Sequence, residues 1–102
     1  MYKHLVFWKL KNNAKGLSNK ELCKEVQRRL DELPGNIPEI ITYETAINLG
    51  DYEASFFDVS LISTFKDKDD FWKYTKYRIH DEVVAYIQSV QIDEQIVDYE
   101  LN

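Results

Sequence analysis

The sequence predicts an α+β domain built from one antiparallel sheet with helices on a single face. Four stretches alternate apolar residues as strands do, and the stretches between them carry apolar residues at helical spacing. Their order is β-α-β-β-α-β, with no repeat, linker or low-complexity tract. Right-handed crossovers close that order into a four-stranded antiparallel sheet, the ferredoxin-like arrangement. A chain of 102 residues is the size of one domain, spanning residues 1–102.

Each element has its own local reason. Lys3 to Lys11 is the first strand, with His4, Val6, Trp8 and Leu10 on one side and Leu5 and Phe7 on the other. Both sides are apolar, so the strand is expected to be central and covered on both. Asn12 to Gly16 is polar loop. Ser18 and Glu21 form a capping box, in which the Ser18 hydroxyl accepts from the Glu21 amide and the Glu21 carboxylate accepts from the Ser18 amide. The helix it opens is predicted to reach Leu33, with Leu22, Cys23, Val26, Leu30 and Leu33 on one stripe. Pro34-Gly35 stops it, because Pro34 has no amide hydrogen and disfavours a helical Leu33.

Glu39 to Leu49, rich in Ile, Thr and Tyr, is the second strand. Gly50-Asp51 opens a short turn and Ser55 to Thr64 returns as the third, which makes an antiparallel hairpin. Asp58, set among aromatic residues, is expected to be half-wet or paired. Asp67 to Asp70 put negative charge where a helix N-terminus favours it. The helix there should reach Tyr77. A change of apolar spacing near Arg78 separates it from a second piece over Asp81 to Ser89. Ile92 to Leu101 alternates as the last strand, with one wet face.

Composition excludes several function classes. The 44% apolar and 30% charged content is that of a globular domain, and no apolar run is long enough to span a membrane. The opening residues Met1 to His4 lack the zones of a signal peptide, which makes the cytoplasm the expected location. The single cysteine, Cys23, rules out an internal disulfide or a multi-thiolate metal site and reads as a small buried hydrophobe. A formal charge of −5 argues against a nucleic-acid partner, and Arg28-Arg29 and Lys76-Tyr77-Arg78 read as solvated helix surface.

Helices cover only one face of such a sheet. The other face carries either Val6 and Trp8 or Leu5 and Phe7, so it is apolar in either register. A second copy packed sheet against sheet is the simplest cover, and a homodimer is therefore expected.

Tyr2 to Lys11, the Pro34-Gly35-Asn36-Ile37 turn, Phe65 before Asp70-Phe71, Tyr74 with His80 and Val83-Val84, and the closing Val97-Asp98-Tyr99-Glu100 resemble the stress-responsive A/B barrel (Dabb) family. The resemblance covers nearly the whole chain in order. It implies a ferredoxin-like subunit whose dimer closes two sheets into a β-barrel. It also implies a choice of roles, since plant members are associated with stress responses and one branch comprises polyketide cyclases that use no metal or organic cofactor. The chain is similar to that branch at His4, Tyr74 and His80. It departs at Tyr77-Arg78, where many members carry His-Pro, and so lacks a fixed turn before His80. The pocket implied is lined by Val6, Trp8, Phe57 and Tyr86.

Ring closure of the aldol type needs a base beside a carbonyl and a donor for the developing oxyanion. Neutral His80 suits the first role, its charged form being disfavoured at a helix start, and the Tyr74 hydroxyl suits the second. His4 is expected to hold a polar group of the ligand on the barrel side. Two histidines at unrelated spacing do not make a metal site. No cofactor is implied, and no motif points to a monooxygenase on this fold. Two functions remain. One is a dimer binding a small apolar molecule, with or without cyclase- or lyase-type chemistry; the other is a stress-associated scaffold whose barrel is filled by Trp8 and Phe57. An open cavity of roughly 300 Å³ beside Tyr74 and His80 would favour the binder.

Overall fold

The structure is a computed structural model that describes residues 1–102. Strand β1, Tyr2–Leu10, lies at the centre of the sheet. A two-rung hairpin follows, β2 (Asn13–Ala14) with β3 (Leu17–Ser18), where a plain loop was expected. Lys15 and Gly16 both have positive φ, 51° and 77°, the pair of conformations a type I′ turn needs. The long elements are α1 (Asn19–Leu30), β4 (Ile40–Ile47), β5 (Val59–Phe65), α2 (Lys68–Tyr74), α3 (Arg78–Val90) and β6 (Gln91–Glu100). The sheet order is β4-β5-β1-β6, antiparallel throughout, which is the ferredoxin-like topology predicted.

The capping box forms as the sequence dictates. The Glu21 amide donates to Ser18 Oγ over 3.2 Å, and the Ser18 amide donates to Glu21 Oε1 over 2.9 Å. Helix α1 ends at Leu30 rather than Leu33, yet Leu33 is still buried, in turns closed by the amides of Leu33 and Ile37. Cys23 is buried on the α1 stripe, and burial pushes its thiol pKa up. At α2 the Asp67 side chain accepts from the Asp70 amide over 2.9 Å, so the acidic run acts as a cap.

The β4–β5 connection is longer than predicted. Strand β4 stops at Ile47 and β5 starts only at Val59, leaving residues 48–58 as an excursion. Its base is tied by Asn48 N to Asp58 O and Asp58 N to Trp8 O, both 2.8 Å. Asp58 is half-buried and accepts from the Leu10 amide over 2.8 Å, so it is a structural acceptor. At Gly50 a Cβ would sit 2.4 Å from the Phe56 ring, so the loop closes there only without a side chain.

Register settles which face of β1 points where. Tyr2, His4, Val6, Trp8 and Leu10 are buried against the helices, and Leu5 and Phe7 face the open side. Trp8 stands opposite Val59 on β5 and Glu94 on β6. The open face thus presents Leu5, Phe7, Ile62, Val97 and Tyr99, with Val97 52% exposed. No helix is long and apolar enough to cross a membrane.

Candidate functional site

The α2–α3 corner forms because the chain cannot stay helical through residues 75–77. Thr75 ends α2 and turns its hydroxyl back to the Trp72 carbonyl over 2.7 Å. Tyr77 begins α3 in an extended conformation and gives it no side-chain cap. Its phenol instead donates to Glu39 Oε1 over 2.8 Å, just before β4. That bond pins the corner without a proline.

Tyr74 at the end of α2 and His80 in the first turn of α3 therefore meet, with ring centroids 4.5 Å apart in an edge-to-face arrangement. His4 comes up from β1 beneath them, 6.2 Å from Tyr74 and 4.8 Å from Phe71 between centroids. The three residues singled out in the sequence converge on one cavity of about 220 Å³ between the sheet and the helices. His4 consequently faces the helices, not the barrel side where its contact was expected. Val6 and Trp8 line the cavity as well.

Phe57 and Tyr86 do not. Phe57 stays in the 48–58 loop, because β5 begins two residues after it. Tyr86 is on a flank of α3: Val83, Ile87 and Val90 take the inward stripe, and the Arg29 guanidinium stacks 3.7 Å over the Tyr86 ring. The cavity is smaller than the 300 Å³ expected of an open site, partly because Trp8 fills space on this side of the sheet rather than in a barrel.

One side chain of the candidate site was missed in the sequence. Asp98 of β6 stands opposite His4 in the β1–β6 register, and its Oδ1 lies 2.6 Å from His4 Nδ1. A carboxylate there keeps the proton on Nδ1 and leaves Nε2, which bonds to no protein group, as an acceptor. In sequence Asp98 stood in the alternation of Ile92, Glu94, Ile96 and Asp98 and in the closing Val97-Asp98-Tyr99-Glu100, neither of which says anything about the partner strand.

Protonation follows from burial. Burial lowers the His80 pKa, with a smaller push from His4 in the same direction, while Asp81 raises it in part. The Asp81 carboxylate is 3.6 Å away, too far for a hydrogen bond, and His80 Nδ1 is buried without a partner. Burial also pushes the Tyr74 phenol well above its ordinary value, so it stays a proton donor at neutral pH. Its hydroxyl makes no hydrogen bond to the protein, although the ring is among the most buried in the chain. The site thus offers the His80 imidazole as an acceptor, a His4 imidazole held by Asp98, and one phenolic donor around an apolar space. No three of the His, Cys, Asp and Glu side chains converge as metal ligands.

A ferredoxin-like fold with an apolar open sheet face and a cavity under its helices has the architecture of the A/B barrel class. The chain belongs to the Stress Responsive A/B Barrel Domain (Dabb) family, which matches residues 2–101. No curated protein matches it in sequence. Among solved structures it is similar to a dimeric ferredoxin-like protein of unknown function from Bacteroides fragilis, with a TM-score of 0.82 and 22% identity over 98% of this chain and 95% of that one. It is also similar to the hydroxynitrile lyase of Passiflora edulis, with a TM-score of 0.80 and 21% identity over 99% of this chain and 93% of that one. An antibiotic biosynthesis monooxygenase gives a TM-score of 0.77 at 16% identity, over 100% of this chain and 99% of that one. At these identities the likeness is one of fold.

Proposed function

We propose that the protein is a homodimer whose subunits each bind a small, largely apolar molecule and break or form a carbon–carbon bond next to a carbonyl or hydroxyl, without a cofactor. The observation that carries this reading is the convergence of His4, Tyr74 and His80 on one apolar cavity, with no protein bond satisfying the Tyr74 hydroxyl. In the direction of cleavage, a neutral imidazole takes the proton of a substrate hydroxyl. The carbon–carbon bond breaks as the carbonyl forms, and the departing carbanion is protonated. His80 is the base in this scheme and, once protonated, returns that proton to the carbanion; Tyr74 holds the substrate oxygen, and the His4–Asp98 pair orients the substrate.

Dimerisation is supported by the apolar open face and by the description of several similar structures as dimeric. An aromatic hydroxynitrile is a suitable first substrate, given the likeness to a hydroxynitrile lyase. The wild type should release aldehyde faster than buffer, and His80→Ala should lose about 10²–10⁴ of that rate. Wild-type rates equal to buffer, for hydroxynitriles and for β-hydroxy carbonyl compounds, would refute the catalytic reading. A second reading, a non-catalytic scaffold, is favoured by one observation: about 220 Å³ is below the range of most ligand sites.

A further inference from the structure

The cavity has two unlike ends, and the acid–base reading uses only one of them. His4, Tyr74 and His80 occupy one end. Towards the other, Glu94 of β6 stands on the cavity side opposite Trp8, four residues along the strand from Asp98. Four residues of strand span about 13 Å, so this carboxylate is remote from the imidazoles. Glu94 is half-buried and forms no ion pair, and no Lys or Arg lines the cavity. A carboxylate beside an apolar space without a counter-ion is unusual, because part of its hydration is lost with no protein charge in return.

One further feature gives this end the same sign. Gln91, where α3 passes into β6, also lines the cavity, and its Oε1 is buried without a hydrogen-bond partner. Helix α3 ends at Val90 with no basic residue in its last turn, and its Val90 carbonyl accepts from the Lys11 amide over 2.9 Å. The Lys11 side chain lies on the outside, where its Nζ reaches the Ser89 carbonyl over 3.3 Å. A carboxylate and an unpaired amide oxygen thus face the cavity where its walls supply no positive charge.

We infer that the ligand is a small molecule with an apolar body and a protonated amine, the ammonium seated between Glu94 and Gln91. The two carboxylate oxygens of Glu94 and Gln91 Oε1 suit the three N–H donors of a primary ammonium, and Val6, Trp8, Val83 and Ile87 suit the apolar body. An anionic ligand is disfavoured at this end by the same charges. The inference rests on the reading that the cavity binds a small molecule, and it adds which class of molecule.

The test is a titration of the intact protein with four probes of nearly equal size: phenethylamine, 2-phenylethanol, ethylbenzene and phenylacetate. Binding is followed by the amide and indole NMR signals of Gln91 and Trp8. Phenethylamine should bind about two- to fivefold more tightly than 2-phenylethanol, the value of one partly exposed charge pair, and phenylacetate should bind least. Glu94→Gln should remove the preference for the amine and leave the affinity for 2-phenylethanol unchanged. Glu94→Asp should keep part of it, and both variants should melt as the wild type does. If the alcohol and the hydrocarbon bind but the amine has no advantage, or keeps its advantage in Glu94→Gln, the amine inference is overturned while the cavity stays a binding site. If none of the four binds, the binding reading falls and the inference falls with it.

Discussion

Phe7→Glu should dissociate the proposed dimer while leaving the subunit folded. Phe7 lies on the open face of β1, between Ser60 of β5 and Gln95 of β6, with Leu5, Ile62, Val97 and Tyr99 completing the apolar surface. Burying a phenylalanine side chain contributes roughly 1.5–3 kcal/mol. A two-fold interface contains the residue twice, so the loss is about 3–6 kcal/mol per dimer. Phe7 is already half-covered within its own subunit, which favours the lower end. At about 1.4 kcal/mol per tenfold, the dimer Kd should rise by at least a hundredfold, and further if the two carboxylates are held out of water. Sedimentation velocity over a concentration series reads this directly, and far-ultraviolet circular dichroism checks that the subunit is still folded. Trp72→Glu is the control, since Trp72 is 51% exposed on α2, on the helix side. A Phe7→Glu protein that sediments as a dimer with the wild-type midpoint would refute the sheet-to-sheet interface. Trp8→Glu answers a different question: Trp8 is 6% exposed under the helices, so that substitution should unfold the chain whatever its assembly.

Other consequences are open to simpler assays. Because burial lowers the His80 pKa, the unfolded chain binds more protons than the folded one between the folded value and the usual value of about 6.5. His80's effect is therefore absent above about pH 6.5 and destabilising as pH falls through that window; His80→Gln should flatten this part of a melting-temperature profile, and an unchanged profile would contradict it. Tyr74→Phe removes a hydroxyl without a protein partner, so stability by urea denaturation should change by less than about 0.5 kcal/mol while activity falls; a loss above about 1 kcal/mol would show that the hydroxyl is structural. Tyr77→Phe breaks the bond to Glu39 and should reduce turnover more than it reduces stability, by loosening the corner that carries His80. Ser18→Ala should cost about 1 kcal/mol in the same denaturation assay, the usual value of a lost helix cap.

Local rules read the elements well and the long-range placements poorly. The capping box at Ser18, the stripe on α1 and a break between two helical pieces each depend on residues a few positions apart, and each formed, although the break falls at residues 75–77 rather than 78–80 because α2 ends at Tyr74 and α3 already includes Arg78. The inward face of β1 was ambiguous because both of its faces are apolar; only pairing with β5 and β6 puts Trp8 in and Phe7 out. Phe57 was misplaced because a run of aromatic residues looks like strand, while the structure keeps the chain in a loop until Val59. Tyr86 was misplaced because a helix position does not say which neighbour takes the side chain, and Arg29 of α1 takes this one. The contact of Asp98 with His4 was invisible because the two are 94 residues apart and meet only through strand register.

Strand β6 has one free edge. It is ten residues long, it ends the sheet, and it exposes Ile92, Ile96 and Val97 by more than half. A long apolar edge with unpaired amides and carbonyls invites another strand to add to it. Asp93, Glu94, Asp98 and Glu100 interrupt that edge with four like charges, which repel a second copy laid alongside. The carboxylates at the cavity therefore also keep separate molecules from joining edge to edge. A stored solution of a variant in which both Glu94 and Asp98 are neutralised should form strand-paired aggregates sooner than the wild type, even where the fold of each subunit is intact.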